Sequence, residues 1–147
     1  MRVCMVGSGL RYPNALGGIR HQFDLARALA KKGCEVHVLQ SISKMRMRRM
    51  YVHYVKPLNV PYLNNVNILL RSMMLISRLH KKYDFDIIHD RGYLFGGSGV
   101  LASRLTGVPC VFQVDYNFLV ADETKRSVLQ RVRLILASVW LKCVILR

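Results

Sequence analysis

Short apolar runs that stop at glycine or at a polar residue alternate with longer stripes of helical period along most of the chain. Strands of that kind are buried on both faces, so the fold must place a sheet between two layers of helices. Residues 2–7 (RVCMVG), 35–40 (EVHVLQ), 51–55, 86–89 and 110–114 are the runs, and 142–146 opens one more. From Ile19 the apolar positions Phe23, Ala26 and Ala30 recur at helical spacing, flanked by Leu25 and Leu29, and Gly33 stands where a helix C-cap belongs. A second helix is predicted over 65–82, with Ile68, Leu69, Met73, Ile76 and Leu79 on its apolar face, and a third over 99–106, stopped by Gly107 and Pro109. Val128, Val132, Ile135, Leu136 and Val139 predict a last helix with a basic opposite side. The basic stretch 41–50 lacks a turn signal and is expected to be a solvated loop. Together these elements predict an α/β, doubly wound parallel sheet with right-handed crossovers. Its ligand crevice would lie outside the carboxyl ends of the strands, at the loops 8–18, 90–97 and 115–121.

Composition narrows the choice of partners. The 147 residues suit one domain, and a hydrophobic share of 52% with only 4 prolines excludes a disordered chain. No stretch approaches the roughly 20 apolar residues of a spanning helix, and the opening residues lack a signal-peptide core, so a cytoplasmic protein is expected. Cys4, Cys34, Cys110 and Cys143 are dispersed and are expected to be reduced core residues, with no metal site. The net charge of +15 favours phosphate groups, nucleic acid or an anionic membrane face.

The loops hold the candidate chemistry. Gly7-Ser8-Gly9 opens a dinucleotide fingerprint that fails at Tyr12, and Gln40 and Ser41 stand where a ribose-binding acid belongs, so no nicotinamide or flavin cofactor is expected. Gly17 and Gly18, just before the first turn of the first helix, allow close approach of a ligand to free N–H groups and suit a phosphate; they would serve equally as a turn and cap. His21, beside Arg20, lies in that first turn as an anion contact or a surface residue. His89, Asp90 and Arg91 end the fourth strand and are expected to put three polar side chains into the crevice, unless they merely cap the loop. Asp115, directly after the fifth strand, could accept hydroxyl hydrogen bonds from a sugar or form a turn.

The block MRVCMVGSGLRYPNALGGIRHQFDLARALAKKGCEVHVLQ, with its Gly-Gly loop, Leu-Ala-x-x-Leu helix and Gly-x-Glu-Val-x-Val strand, resembles the opening of the N-terminal, Rossmann-like domain of GT-B glycosyltransferases of the retaining family 4 type. The block DFDIIHDRGYLFGGSGVLASRLTGVPCVFQVDYN resembles the same domain's later segments. The resemblance implies transfer of a sugar from a nucleotide-sugar co-substrate to a lipid-linked or cell-envelope acceptor. Gly17 and Gly18 would approach the donor phosphate, His21, His89, Asp90 and Arg91 would contact acceptor or sugar, and Asp115 would stand at the catalytic position, where the family carries His or Asn. The resemblance also implies that residues 1–147 are the acceptor-side half, that a C-terminal donor-binding domain is missing, and that the chain alone does not turn over. The basic clusters 44–49 and 126–133 suit attachment to the inner face of a membrane. A basic binding module without catalysis, holding a sugar nucleotide or nucleic acid, is the alternative, with Tyr51, Tyr54 and Tyr62 as its stacking residues.

Overall fold

A computed structural model describes residues 1–7, 16–40, 46–47, 50–56, 64–92 and 97–114, together with residues 136, 139, 140, 142 and 143. Six strands form one sheet: β1 (Arg2–Val6), β2 (Glu35–Gln40), β3 (Arg46–Met47), β4 (Met50–Tyr54), β5 (Ile87–Gly92) and β6 (Cys110–Val114). Three helices connect them: α1 (Leu16–Lys31), α2 (Asn64–Tyr83) and α3 (Ser98–Thr106). The spatial order is β3-β4-β2-β1-β5-β6. Every pairing is parallel except that of β3 with β4. The chain moves outward from β1 through β2 to β4, then returns through α2 to β5 on the other side of β1. The direction of winding therefore reverses between β1 and β5, as the expected doubly wound sheet requires.

Side-chain alternation divides the sheet into two cores. Val3, Met5, Val36, Val38 and Met50 pack with Ala26, Phe23 and Leu29 of α1. Cys4, Val6, Leu39 and Ile88 face the other way, onto Ile76 of α2 and Ala102 of α3. Gly33 and Gly107 close their helices as the sequence predicts; the Gly107 N–H donates to the Ser103 carbonyl.

Three expectations change. The stretch 41–50 is not all loop: Arg46–Met47 adds a two-residue antiparallel edge to β4. β5 continues through its polar residues to Gly92, because a parallel ladder with β6 pairs those backbones too. Lys142 and Cys143 lie in a π-helical turn and not in a strand, and Cys143 is exposed. All four cysteines are free, and burial pushes the Cys4 thiol well above its usual range and that of Cys110 up to about 12, so both stay protonated. The predicted last helix falls mostly outside the described residues, which are helical at 136, 139 and 140.

Candidate functional site

Buried polar side chains in this sheet gather where its strands end. Gln22, Gln40, Asp90, Arg91 and Ser98 are all buried, and each lies at the carboxyl side of the β1–β5 switch or in a helix that starts there. A polar group is taken out of water at a cost of about 1–3 kcal/mol unless it is paired, so such a cluster marks either a structural network or a ligand site. The cluster divides into two parts.

Asp90 belongs to the structural part. It shares a face of β5 with Ile88, and its Oδ2 accepts the Gly99 N–H at 2.6 Å, a carboxylate at the N-terminus of α3 where the helix dipole favours it. Gly99 has to be glycine for this approach. A Cβ there would lie 2.7 Å from Asp90 Cβ and 2.9 Å from both Asp90 Oδ2 and Ile88 Cγ2. The expected trio of strand-end side chains is thereby split, since successive residues of a strand point to opposite faces. Asp90 turns to α3, while His89 and Arg91 lie on the α1 face.

The α1 face carries the other part. The register of Val6 with Leu39 and Asp90 places the next residue, Gly7, beside Gln40 and Arg91, and Arg91 pairs in turn with Gln113 of β6. Gln40, Gly7, Arg91 and Gln113 thus form one row across four strands. Above it stands α1, which begins at Leu16, so that Gly17 and Gly18 lie within its first turn and not just before it, with no acidic residue there. Gln22, one turn further, lays its amide on Gly7, where any Cβ would collide with it, and its Oε1 accepts a hydrogen bond from Gln40 Nε2 at 3.2 Å. His21, although in the same helix, is exposed. Asp115 lies outside the described residues. The sequence shows Gln22 only as a polar residue within an apolar pattern, and Gln40 only as an amide where a ribose-binding acid belongs; an amide on the buried stripe of a helix was the available signal.

A second histidine group lies away from this site, toward the amino end of β2. His37 is fully buried and sits among Tyr51, His53, Tyr83 and Phe85, with ring centroids 4.3–5.1 Å away. Its Nε2–H donates to Glu35 Oε1 at 3.0 Å, so its Nδ1 accepts from His53 Nε2–H at 2.9 Å. Tyr51 stacks on His37 with ring centroids 4.8 Å apart and stays 40% exposed. Among the described residues no three His, Cys, Asp or Glu side chains are placed to hold a metal ion.

The titrations of the two groups oppose one another. Burial pushes Asp90 up from 3.8 to about 6, against the pull of the Gly99 and Val100 N–H groups. That stabilisation is full below 3.8 and is lost as pH rises through 6. Burial, then the charges of His37 and Lys82, lowers His53 from 6.5 to about 4, and burial also lowers His37. The contribution of His53 is present above 6.5 and is lost as pH falls through 4, and that of His37 is likewise lost on acidification. Unfolding in urea between pH 6.5 and 4 is therefore expected to give a shallow profile for the unmodified chain. Asp90→Asn is expected to steepen it, with stability falling on acidification; an unchanged slope would count against the assignment.

Three comparisons bear on the family and the fold. The model of the family described as Glycosyltransferase Family 4 matches residues 17–142. A curated enzyme of Escherichia coli, UDP-Gal:alpha-D-GlcNAc-diphosphoundecaprenol alpha-1,3-galactosyltransferase, is 34% identical over 59 residues, which is 40% of this chain and 15% of that enzyme. Among solved structures, sucrose-phosphate synthase from Thermosynechococcus elongatus superposes with a TM-score of 0.62 at 13% identity, covering 98% of this chain and 45% of its own. A glycosyltransferase from Rickettsia africae gives 0.57 at 20% identity over 76% of this chain and 28% of its own. At these identities the structural likeness speaks for the fold. The chain spans less than half the length of each of these three proteins.

Proposed function

Because the chain belongs to Glycosyltransferase Family 4, we propose that it is the N-terminal, acceptor-side domain of a retaining enzyme that moves a sugar from a nucleotide-sugar donor to a lipid-linked or cell-envelope acceptor, with a C-terminal donor-binding domain in cis or in trans. The observation that carries this reading is the family match across residues 17–142, which includes the α1 N-terminus and the whole polar end of β5. In this reading Gly17 and Gly18 bring the free N–H groups of α1 to the donor diphosphate. Arg91 adds positive charge from the neighbouring strand, His89 and His21 contact sugar or acceptor, and Asp115 stands at the catalytic position. Asp90 acts at one remove, by fixing α3 against β5.

A membrane-borne acceptor is supported by the E. coli relative, whose name gives a diphosphoundecaprenol acceptor, and by the outer surface of α2. Val66, Leu70 and Met74, four residues apart and so on one face, are each about half exposed. Arg71, Arg78, Lys81 and Lys82 are exposed on the same helix. An apolar stripe bordered by cations suits an anionic bilayer, where each basic residue near the surface adds about 1 kcal/mol. No described helix is long and apolar enough to cross a membrane. The basic clusters 44–49 and 126–133 lie largely outside the described residues.

One experiment tests the whole reading. The chain, joined to a family 4 C-terminal domain, is offered a panel of nucleotide sugars and a polyprenyl-diphosphate sugar in anionic vesicles. Transfer is expected, with Gly17→Val and Arg91→Ala each lowering it at least tenfold. Absence of both transfer and donor hydrolysis across the panel would defeat the proposal.

A further inference from the structure

Gln22 is only 1% exposed, and its Oε1 accepts a hydrogen bond from Gln40 Nε2 at 3.2 Å. Oε1 is taken; Nε2, fully buried, keeps its two N–H donors without a hydrogen-bond partner. Packing alone gives no reason for this arrangement, since methionine or leucine would fill the space without leaving a donor unmet. Gly7 has no side chain beneath it, so the backbone itself makes room for the amide.

Three kinds of donor belong to this end of the sheet. Gln22 lies four residues after Gly18, hence on the same face of α1, and helical side chains lean toward the N-terminus of their helix. The first turn of α1 supplies N–H groups that no helical carbonyl can take up, with no acidic side chain among them. Arg91 stands in register with Gly7, one strand away. We infer that Gln22 is a binding residue for a diphosphate. Its Nε2 donates to a non-bridging oxygen of the group held at the α1 N-terminus, and Gln40 is the positioning residue that keeps the amide the right way round. The inference rests on the glycosyl-transfer reading for the identity of the diphosphate as that of a sugar nucleotide. It adds a neutral donor to the backbone and arginine contacts, so that an oxygen is selected by direction as well as by charge.

The test is thermal unfolding of the full chain titrated with inorganic pyrophosphate and with UDP, against uridine as the phosphate-free control. Pyrophosphate and UDP are expected to raise the melting temperature, and uridine is not. Gln22→Met is expected to weaken both responses about tenfold or more, the loss of one hydrogen bond to a charged group. Gln22→Met combined with Gln40→Leu removes the unmet donors together and is expected to melt, without ligand, no lower than the unmodified chain while still failing to respond. A Gln22→Met response equal to the unmodified one, or no response of the unmodified chain to pyrophosphate or UDP, would overturn the inference. Either result leaves sugar transfer by the two-domain enzyme standing if that is observed. A Gln22-dependent pyrophosphate response without transfer from any donor would instead keep the site and defeat the enzymatic reading.

Discussion

Replacing Gly99 with alanine is expected to cost about 3 kcal/mol of folding stability, within the range for overpacking a filled core with loss of a charged cap. The added methyl would meet Asp90 and Ile88 at 2.7–2.9 Å, and both are buried. Either α3 lifts from β5, opening the core at Ala102, or the Asp90 carboxylate leaves the Gly99 N–H and stays buried without it. Gly107→Ala provides the contrast. That residue has a φ of +77° but nothing within 4 Å of the new Cβ, so only backbone strain of about 1 kcal/mol is expected. Urea unfolding of the two variants measures the difference. Equal costs would mean that crowding at Gly99 relaxes freely and that Asp90 is not holding α3 in place.

The second large effect is expected at His37. Truncation to alanine removes a fully buried ring from the middle of Tyr51, His53, Tyr83 and Phe85 and leaves a space those side chains fill only in part. Loss of a buried aromatic ring of this kind costs roughly 3 kcal/mol or more. His37→Phe keeps the ring and loses the hydrogen bonds to Glu35 and His53, both of which reach solvent in part, so a cost of about 1 kcal/mol is expected. Chemical denaturation should rank the variants in that order, and a phenylalanine variant as unstable as alanine would show that the polar network, not the stack, holds this end of the sheet.

Much of the architecture was legible because buried parallel strands and their helices write plainly in sequence. RVCMVG holds four consecutive apolar residues and EVHVLQ sets Val36, Val38 and Leu39 at strand spacing, and Gly33 and Gly107 end their helices where the periodicity stops. The two-residue β3 was not legible, since an edge that short has no pattern of its own. The site was legible by position and not by side chain. The sequence directs attention to the ends of β1 and β5 but assigns Asp90 to the crevice, because the alternation of faces could not be applied to residues taken for loop. Only the ladder with β6 extends the strand through Arg91 and makes the alternation binding. His37 and Gln22 were missed for one physical reason: each is a polar residue occupying a place in an apolar period, and pattern alone absorbs it into the core.

The alternation at the end of β5 also acts as a check on assembly. If β5 entered the sheet one residue out of step, Asp90 would move to the α1 face, an acid beneath the helix terminus, and a guanidinium would be pressed between Ile88's neighbours and α3. Neither side tolerates the exchange, because α3 would lose its carboxylate and the apolar layer would receive an unmatched charge. A misregistered chain thus fails to complete the core at the same step that takes Arg91 from the α1 face.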